Sequence, residues 1–285
     1  NSLYIGNDPS STTSTAEYNV AVGTTALDAI TTGDQNTAFG YNALTANTTG
    51  ATNTAVGYGA LSSNTDGPSN TALGYNALGT NTTGSSNLAF GVNALASNTS
   101  GNSNEAFGVN ALYSNTTGGF NTASGSRALK NNTTGDYNIA SGYKAGELIT
   151  TGSNNVIIGY EADPSANSAT NQTVVGSGST GQADNSVTLG NADVTAIYMA
   201  QDSGATVYAG GLNIGGTAIT ANATELNYLD GVTSSIQTQL DNAGGASNVT
   251  GLSDALVESN SLFLGTVPSN TDTAAFNTAV GTLTL

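Results

Sequence analysis

The chain has 285 residues, with 37 glycines, no cysteine, no histidine, no tryptophan and only 8% charged residues. That excludes imidazole acid–base chemistry, thiol nucleophiles, disulfides and His/Cys metal sites. A net charge of −16, from 19 acidic residues against Arg127, Lys130 and Lys144, makes nucleic acid and anionic membranes poor partners. No apolar run reaches the length of a membrane span, so no membrane insertion is expected in this segment. The absence of cysteine fits an exposed setting. A start at Asn1, without Met or a signal-like segment, reads as a piece of a longer protein.

From the N-terminus onward one unit, N-T-A-x-G-Y-x-A-L-x-x-N-T-T-G-x-x, recurs with a period of 17. Its first Asn falls at Asn19, Asn36, Asn53, Asn70, Asn87, Asn104, Asn121, Asn138 and Asn155. Four residues on comes Gly23, Gly40, Gly57, Gly74, Gly91 and their successors, a series running from Gly6 to Gly176 without an insertion. Such regularity predicts one structural turn per repeat. The N-T-T-G piece reads as a turn in which Gly supplies a left-handed backbone conformation. Thr54-Ala55-Val56-Gly57 and its equivalents read as short β segments.

One turn cannot bury its few apolar side chains alone, so the turns must stack at roughly 4.8 Å, about 50 Å over ten steps, with parallel strands. Ala38, Ala55 and Ala72 alternate with the larger Phe39, Val56 and Leu73. The bulky face is expected to fill the solenoid, and the Ala/Gly face to let another backbone approach. Asn47, Asn81, Asn115 and Asn132 formally match a glycosylation acceptor, but the periodicity already explains them as turn residues. The adjacent Thr48 and Thr49 point apart, which disfavours a threonine ice-binding face.

Counting in steps of 17 places Lys130 beside Glu147 and Lys144 beside Glu161, predicting two axial ion pairs. Arg127 shares the register of Lys144 and is left without a carboxylate in register, which makes it the candidate for outside contact. The acidic residues occur singly, with no calcium-loop pattern and no marked pair of carboxylates. No cofactor, no metal site and no enzymatic activity are expected. The fold should therefore survive chelator and reductant.

From Gly176 the step shortens to 14, reaching Gly190 in Asn185-Ser186-Val187-Thr188-Leu189-Gly190. This N-S-V-x-L-G box and the N-T-A-x-G-x-x-A-L repeat resemble the head repeats of trimeric autotransporter adhesins. The resemblance implies a left-handed parallel β-roll head over residues 1–190, assembled as a trimer. Residues 191–219 read as a connector. Over 220–259, Leu226, Leu229, Thr233, Ile236, Leu240 and Ala243 follow a heptad seam, too short to stand alone. The string T-E-L-N-Y-L-D-G-V-T-S-x-I-Q-T-Q-L-D resembles a segment of phage tail fibre proteins, which implies a trimeric helical neck. Val249, Leu252 and Leu256 predict a further short helix. Asn260-Ser261-Leu262-Phe263-Leu264-Gly265 repeats Asn1-Ser2-Leu3-Tyr4-Ile5-Gly6, so 260–285 reads as the start of a second head.

The sequence thus predicts a mainly β chain, a parallel left-handed β-roll or solenoid of 17-residue turns with a short trimeric coiled-coil neck. Its expected role is an extracellular fibre, most like a phage tail fibre segment that spaces and presents a host-attachment tip. The alternative is a bacterial surface adhesin of the trimeric autotransporter type; a polysaccharide depolymerase spike is the least favoured. The expected partners are two further copies of itself, in a parallel homotrimer, and a cell-surface glycan or protein receptor.

Overall fold

The computed structural model describes residues 2–6 and 15–197, together with five short strands nearer the C-terminus. By contact the chain divides into two units, residues 1–198 and 199–285.

In the first unit the repeats of β2 to β10 each begin with a bonded Asn, extend for three residues and are ended by the next glycine. The strands are β1 (Leu3–Gly6), β2 (Val20–Gly23), β3 (Thr37–Phe39), β4 (Thr54–Val56), β5 (Thr71–Leu73) and β6 (Leu88–Phe90). They continue as β7 (Glu105–Phe107), β8 (Thr122–Ser124), β9 (Ile139–Ser141), β10 (Val156–Ile158), β11 (Thr173–Val175) and β12 (Val187–Leu189). All twelve pair in chain order in one sheet, so the chain advances one strand per turn. Neighbours are parallel and keep the 17-residue offset, Thr37 opposite Thr54 and Thr54 opposite Thr71, until the final step. There Thr173 lies opposite Val187, the offset of 14 that the Gly176–Gly190 spacing predicts. At about 4.8 Å per strand the eleven steps span roughly 53 Å. Backbone bonding between turns extends well beyond the strands, as in Leu44 N–H to the Ala60 carbonyl (3.0 Å) and Thr48 N–H to the Thr65 carbonyl (2.9 Å).

The interior reverses the expected sidedness of the strand. Ala38, Ala55, Ala72, Ala89, Ala106 and Ala123 are fully buried, while Phe39 and Phe90 are 57% and 50% exposed. With 17 residues per turn the loop is too narrow for large side chains from the strand. It is filled instead by that Ala, by a second Ala (Ala43, Ala60, Ala77) and by the Leu that follows (Leu44, Leu61, Leu78). The Leu residues hold positive φ, 51° at Leu44 and 52° at Leu61. That costs of order 1 kcal/mol each, and full burial of the side chain, about 1.5–3 kcal/mol, offsets it. Where Gly146 and Asp163 stand in the Leu position, Ile149 fills a place held in most turns by Asn and at the N-terminal end by Ile30, and Ile157 replaces the strand Ala.

Two columns of buried Asn explain the anchors. In the first, Asn36 Oδ1 accepts the backbone N–H of Asn53 (2.9 Å), and Asn36 Nδ2 donates to the Gly50 carbonyl (2.9 Å). In the second, Asn64 Nδ2 donates to Asn47 Oδ1 (2.8 Å) and to the Gly67 carbonyl (2.9 Å). Gly67 also receives Asn53 Nδ2 (2.9 Å), so one carbonyl with two lone pairs ties both columns together. Polar groups buried this way must be bonded or cost about 1–3 kcal/mol each. Ser2 Oγ takes the Asn role at the N-terminal end by accepting Asn19 N–H (3.0 Å); at the other end Gln172 N–H still donates to Asn155 Oδ1 (2.9 Å), but the Gln172 side chain turns to Ser165 and Asp184. The second column stops where Ile149 replaces Asn, which leaves Asn132 Oδ1 without a partner.

The N-T-T-G glycines are therefore conserved in the repeat for space rather than for conformation. Gly67 does not have positive φ; a Cβ there would lie 2.3 Å from the Gly84 carbonyl oxygen and 2.7 Å from Asn64 Oδ1. Asn47, Asn81, Asn115 and Asn132 are fully buried, with their amide nitrogens committed to the ladder, so none presents a glycosylation acceptor.

In the second unit β13 (Leu212–Ile214) and β14 (Thr217–Ile219) pair antiparallel, inside the predicted connector. β15 (Ala255–Glu258) pairs antiparallel with β16 (Ser261–Leu264), and β16 pairs parallel with β17 (Thr278–Val280). In the β16–β17 pair Leu262 lies opposite Thr278, an offset of 16. Leu256, expected in a helix, lies in β15. Three apolar positions are too few to nucleate a helix, and β16 offers an edge to bond to. The seam residues Leu226, Leu229, Ile236 and Leu240 lie outside the described residues. Among the described residues no helix is long and apolar enough to cross a membrane.

Candidate functional surface

The tight interior pushes the large apolar side chains outward, and the 17-residue register lines them up. Counting the leading Asn as the first position, the second and fourth positions project from the strand away from the core. The sixth lies just beyond the corner glycine. The fourth carries Phe39, Phe90, Phe107 and Ile158; the sixth carries Tyr41, Tyr58, Tyr75, Val92, Val109, Tyr143 and Tyr160, all exposed. Stacking brings like rings together: Tyr41 and Tyr58 have centroids 5.2 Å apart, Tyr58 and Tyr75 5.3 Å, and Tyr143 and Tyr160 5.5 Å. Ser124, Ser126 and Ser141 interrupt the column between its two apolar stretches. Across these three positions from β1 to β12 the only charged residue is Glu105. Among the described residues the other acids of this unit stand at other positions of the repeat.

The three basic residues do not pair quite as their spacing predicts. Lys144 Nζ lies 2.8 Å from Glu161 Oε1, on the adjacent turn. Glu147 is taken by Arg127 instead of Lys130, with Nη2 2.5 Å and Nε 2.8 Å from Oε1. Arg127 and Glu147 are 20 residues apart, so the guanidinium reaches diagonally across one turn, farther than backbone register alone suggests. Among the described residues Lys130 has no carboxylate partner, and the free cation of the cluster is Lys130 rather than Arg127. Hydrogen bonds to the glutamates hold both Arg127 and Lys144 above their ordinary pKa ranges. Lys144 also sits 5.2 Å from the Tyr143 ring centroid.

Asp163 stands in the place held in most turns by Leu and is partly buried. Burial pushes its carboxyl up, against the opposing effect of the Leu148 N–H it accepts (2.9 Å) and of Lys144; Glu147 and Glu161 add to the rise. A raised folded-state pKa means that the charged form costs stability above the unfolded carboxylate range and that this cost vanishes below it. Asp163→Asn, which keeps the acceptor oxygen, is therefore expected to raise the urea midpoint at neutral pH. The gain should fade to nothing as the pH falls below about 4, and a midpoint difference that does not change with pH would refute this.

Among the described residues no group of three or more acidic side chains is placed to hold a metal ion. The fold and the surface define the chain's class as a parallel β-solenoid repeat protein. No protein family, no curated protein and no solved structure matches it.

Proposed function

We propose that the chain is a structural and adhesive segment of an extracellular fibre, a parallel homotrimer most like a phage tail fibre segment that spaces and presents an attachment tip. The left-handed winding and the trimeric helical neck over 220–259 belong to this reading. The observation that carries it is the column of exposed Phe, Tyr and Val that runs along the strand face and is nearly free of charge. Patches of this extent mark interaction surfaces. Three copies together carry 3 × −16, or −48. Contact through this face, where Glu105 is the one acid, keeps opposing carboxylates few.

Covering the exposed half of each large side chain contributes roughly 1 kcal/mol, repeated turn after turn. Sedimentation velocity is expected to show a species of three times 28.1 kDa. Phe90→Ser combined with Phe107→Ser should shift it toward monomer without changing the circular dichroism, because neither ring contributes to the core. A folded wild-type monomer at micromolar concentration would overturn the reading.

A further inference from the structure

A single acid stands on the uncharged strand face, and a single cation is left without a carboxylate. Glu105 opens β7 at the second position of its repeat, exposed, with no other charge at the second, fourth and sixth positions from β1 to β12. Its backbone N–H donates to the Asn121 carbonyl (2.8 Å), but among the described residues its carboxylate meets no cation. Of the basic residues, Arg127 is tied to Glu147 and Lys144 to Glu161. Lys130 remains, half-buried at the tenth position of the next repeat.

In the homotrimer proposed above, on which this pairing rests, rotation about a closed threefold axis carries no translation, so each residue keeps its height in every copy. With the apolar fourth and sixth positions toward the axis, three Glu105 carboxylates come to one level beside them. An acid removed from water there without a partner is strongly destabilising. Lys130 lies about one and a half turns beyond Glu105, which raises it roughly 7 Å along the axis, an offset that two long side chains span. The two also flank the apolar positions, Glu105 before them in the repeat and Lys130 after. The Glu105 side of one copy therefore turns toward the Lys130 side of the next, the contact between unlike flanks that closes a ring.

We propose that Lys130 of each copy pairs with Glu105 of the next copy, and that these pairs fix the axial register of the trimer. A column of apolar side chains that recurs every turn packs almost as well after a slip of one turn, about 4.8 Å, and such a slip opens the ring. A pair of charges that occurs once per chain removes that freedom, as a single polar position does in a coiled coil.

Carbodiimide tests the pairing on the unmodified full-length chain, because it condenses an amine and a carboxylate in contact to an amide and takes up the water released. The only lysines are Lys130 and Lys144, so the products are few. Covalent dimers and trimers on a denaturing gel are expected, linked by an amide between Lys130 and Glu105. The Lys144–Glu161 amide within one chain, from groups 2.8 Å apart, shows that the reagent acted. Lys130→Gln should lower the yield of linked multimers about tenfold, and Lys144→Gln should not. Charge exchange gives a second reading: Glu105→Lys and Lys130→Glu should each weaken the trimer about tenfold, and the two together should restore it. Neither side chain belongs to the core, so the circular dichroism of every variant should match wild type. A wild-type trimer that yields no Lys130–Glu105 amide, or a double variant no stronger than the single ones, overturns the pairing and leaves the trimer standing. A wild-type monomer overturns both.

Discussion

Gly74→Ala is expected to destabilise the solenoid by about 3–6 kcal/mol, the combined cost of a forbidden backbone and of overpacking. Gly74 has φ +144°, and a Cβ on it would lie 2.4 Å from the Gly91 carbonyl oxygen and 2.7 Å from the Gly91 carbonyl carbon. Neither neighbour can move aside, since Gly91 is pressed in the same way against Gly108. Gly59 supplies the control, because it also has positive φ (+65°) but meets nothing nearer than Asn76 Oδ1 at 4.0 Å. Asn76, Asn93 and Asn110 occupy the equivalent place at φ 54–57°. Gly59→Asn should therefore be neutral, or stabilising by a few tenths of a kcal/mol, through the restricted unfolded chain. Urea denaturation reads both substitutions, and hydrogen exchange should place the Gly74→Ala damage in the turns on either side of it. A loss under about 1 kcal/mol at Gly74 would show that the corner has slack the structure denies it.

The period, the parallel stacking and the shortened last step were legible because a solenoid repeats its own environment. Gly23, Gly40 and Gly57 could keep one spacing only if each turn met the next in the same way. Sidedness was misread because size was taken as the mark of the interior. The better signal was variation along the stack. The third position is Ala in eight successive turns, while the fourth runs through Val, Phe, Leu and then Ser at Ser124 and Ser141. A position that accepts both Phe and Ser faces outward, and one fixed as Ala is fixed by space.

The same reasoning separates the glycines. Gly40 needs both its positive φ and its lack of a Cβ, whereas Gly67 needs only the latter. Spacing gives no means of telling these apart. Register located Lys144 beside Glu161 because a short axial reach suffices, and missed Arg127 with Glu147 because a long side chain chooses among carboxylates two or three residues to either side. In the second unit β16 contains Ser261 and Leu262 of the repeated Asn260-Ser261-Leu262 string. β15 carries no repeat signature, and its pairing follows from the edge that β16 offers.

Asn104 tests whether the buried ladder or the apolar core holds adjacent turns in place. Its Nδ2 donates to the Gly118 carbonyl (2.8 Å), and its Oδ1 accepts the backbone N–H of Asn121 (3.0 Å). Asn104→Leu keeps the volume but orphans the Asn121 N–H, whereas Gly118 retains Asn115 Nδ2 (2.9 Å), so a loss of about 2–4 kcal/mol is expected, independent of pH. Asn104→Asp keeps the acceptor for Asn121 but turns a second oxygen on the Gly118 carbonyl and places a charge where the native residue is fully buried. Its folded-state pKa must lie above the unfolded carboxylate value, so the destabilisation is full at neutral pH, about 3–5 kcal/mol. It should shrink as the pH falls through that raised value and be least below about 4, where the protonated carboxyl can donate to Gly118 as the amide does. Urea midpoints of both variants against wild type at pH 7 and pH 3.5 are the measurement. If Asn104→Asp fails to recover in acid while Asn104→Leu stays constant, the Gly118 carbonyl is not the partner that orients the ladder. If both cost under about 1 kcal/mol, the Ala and Leu core holds the turns without it.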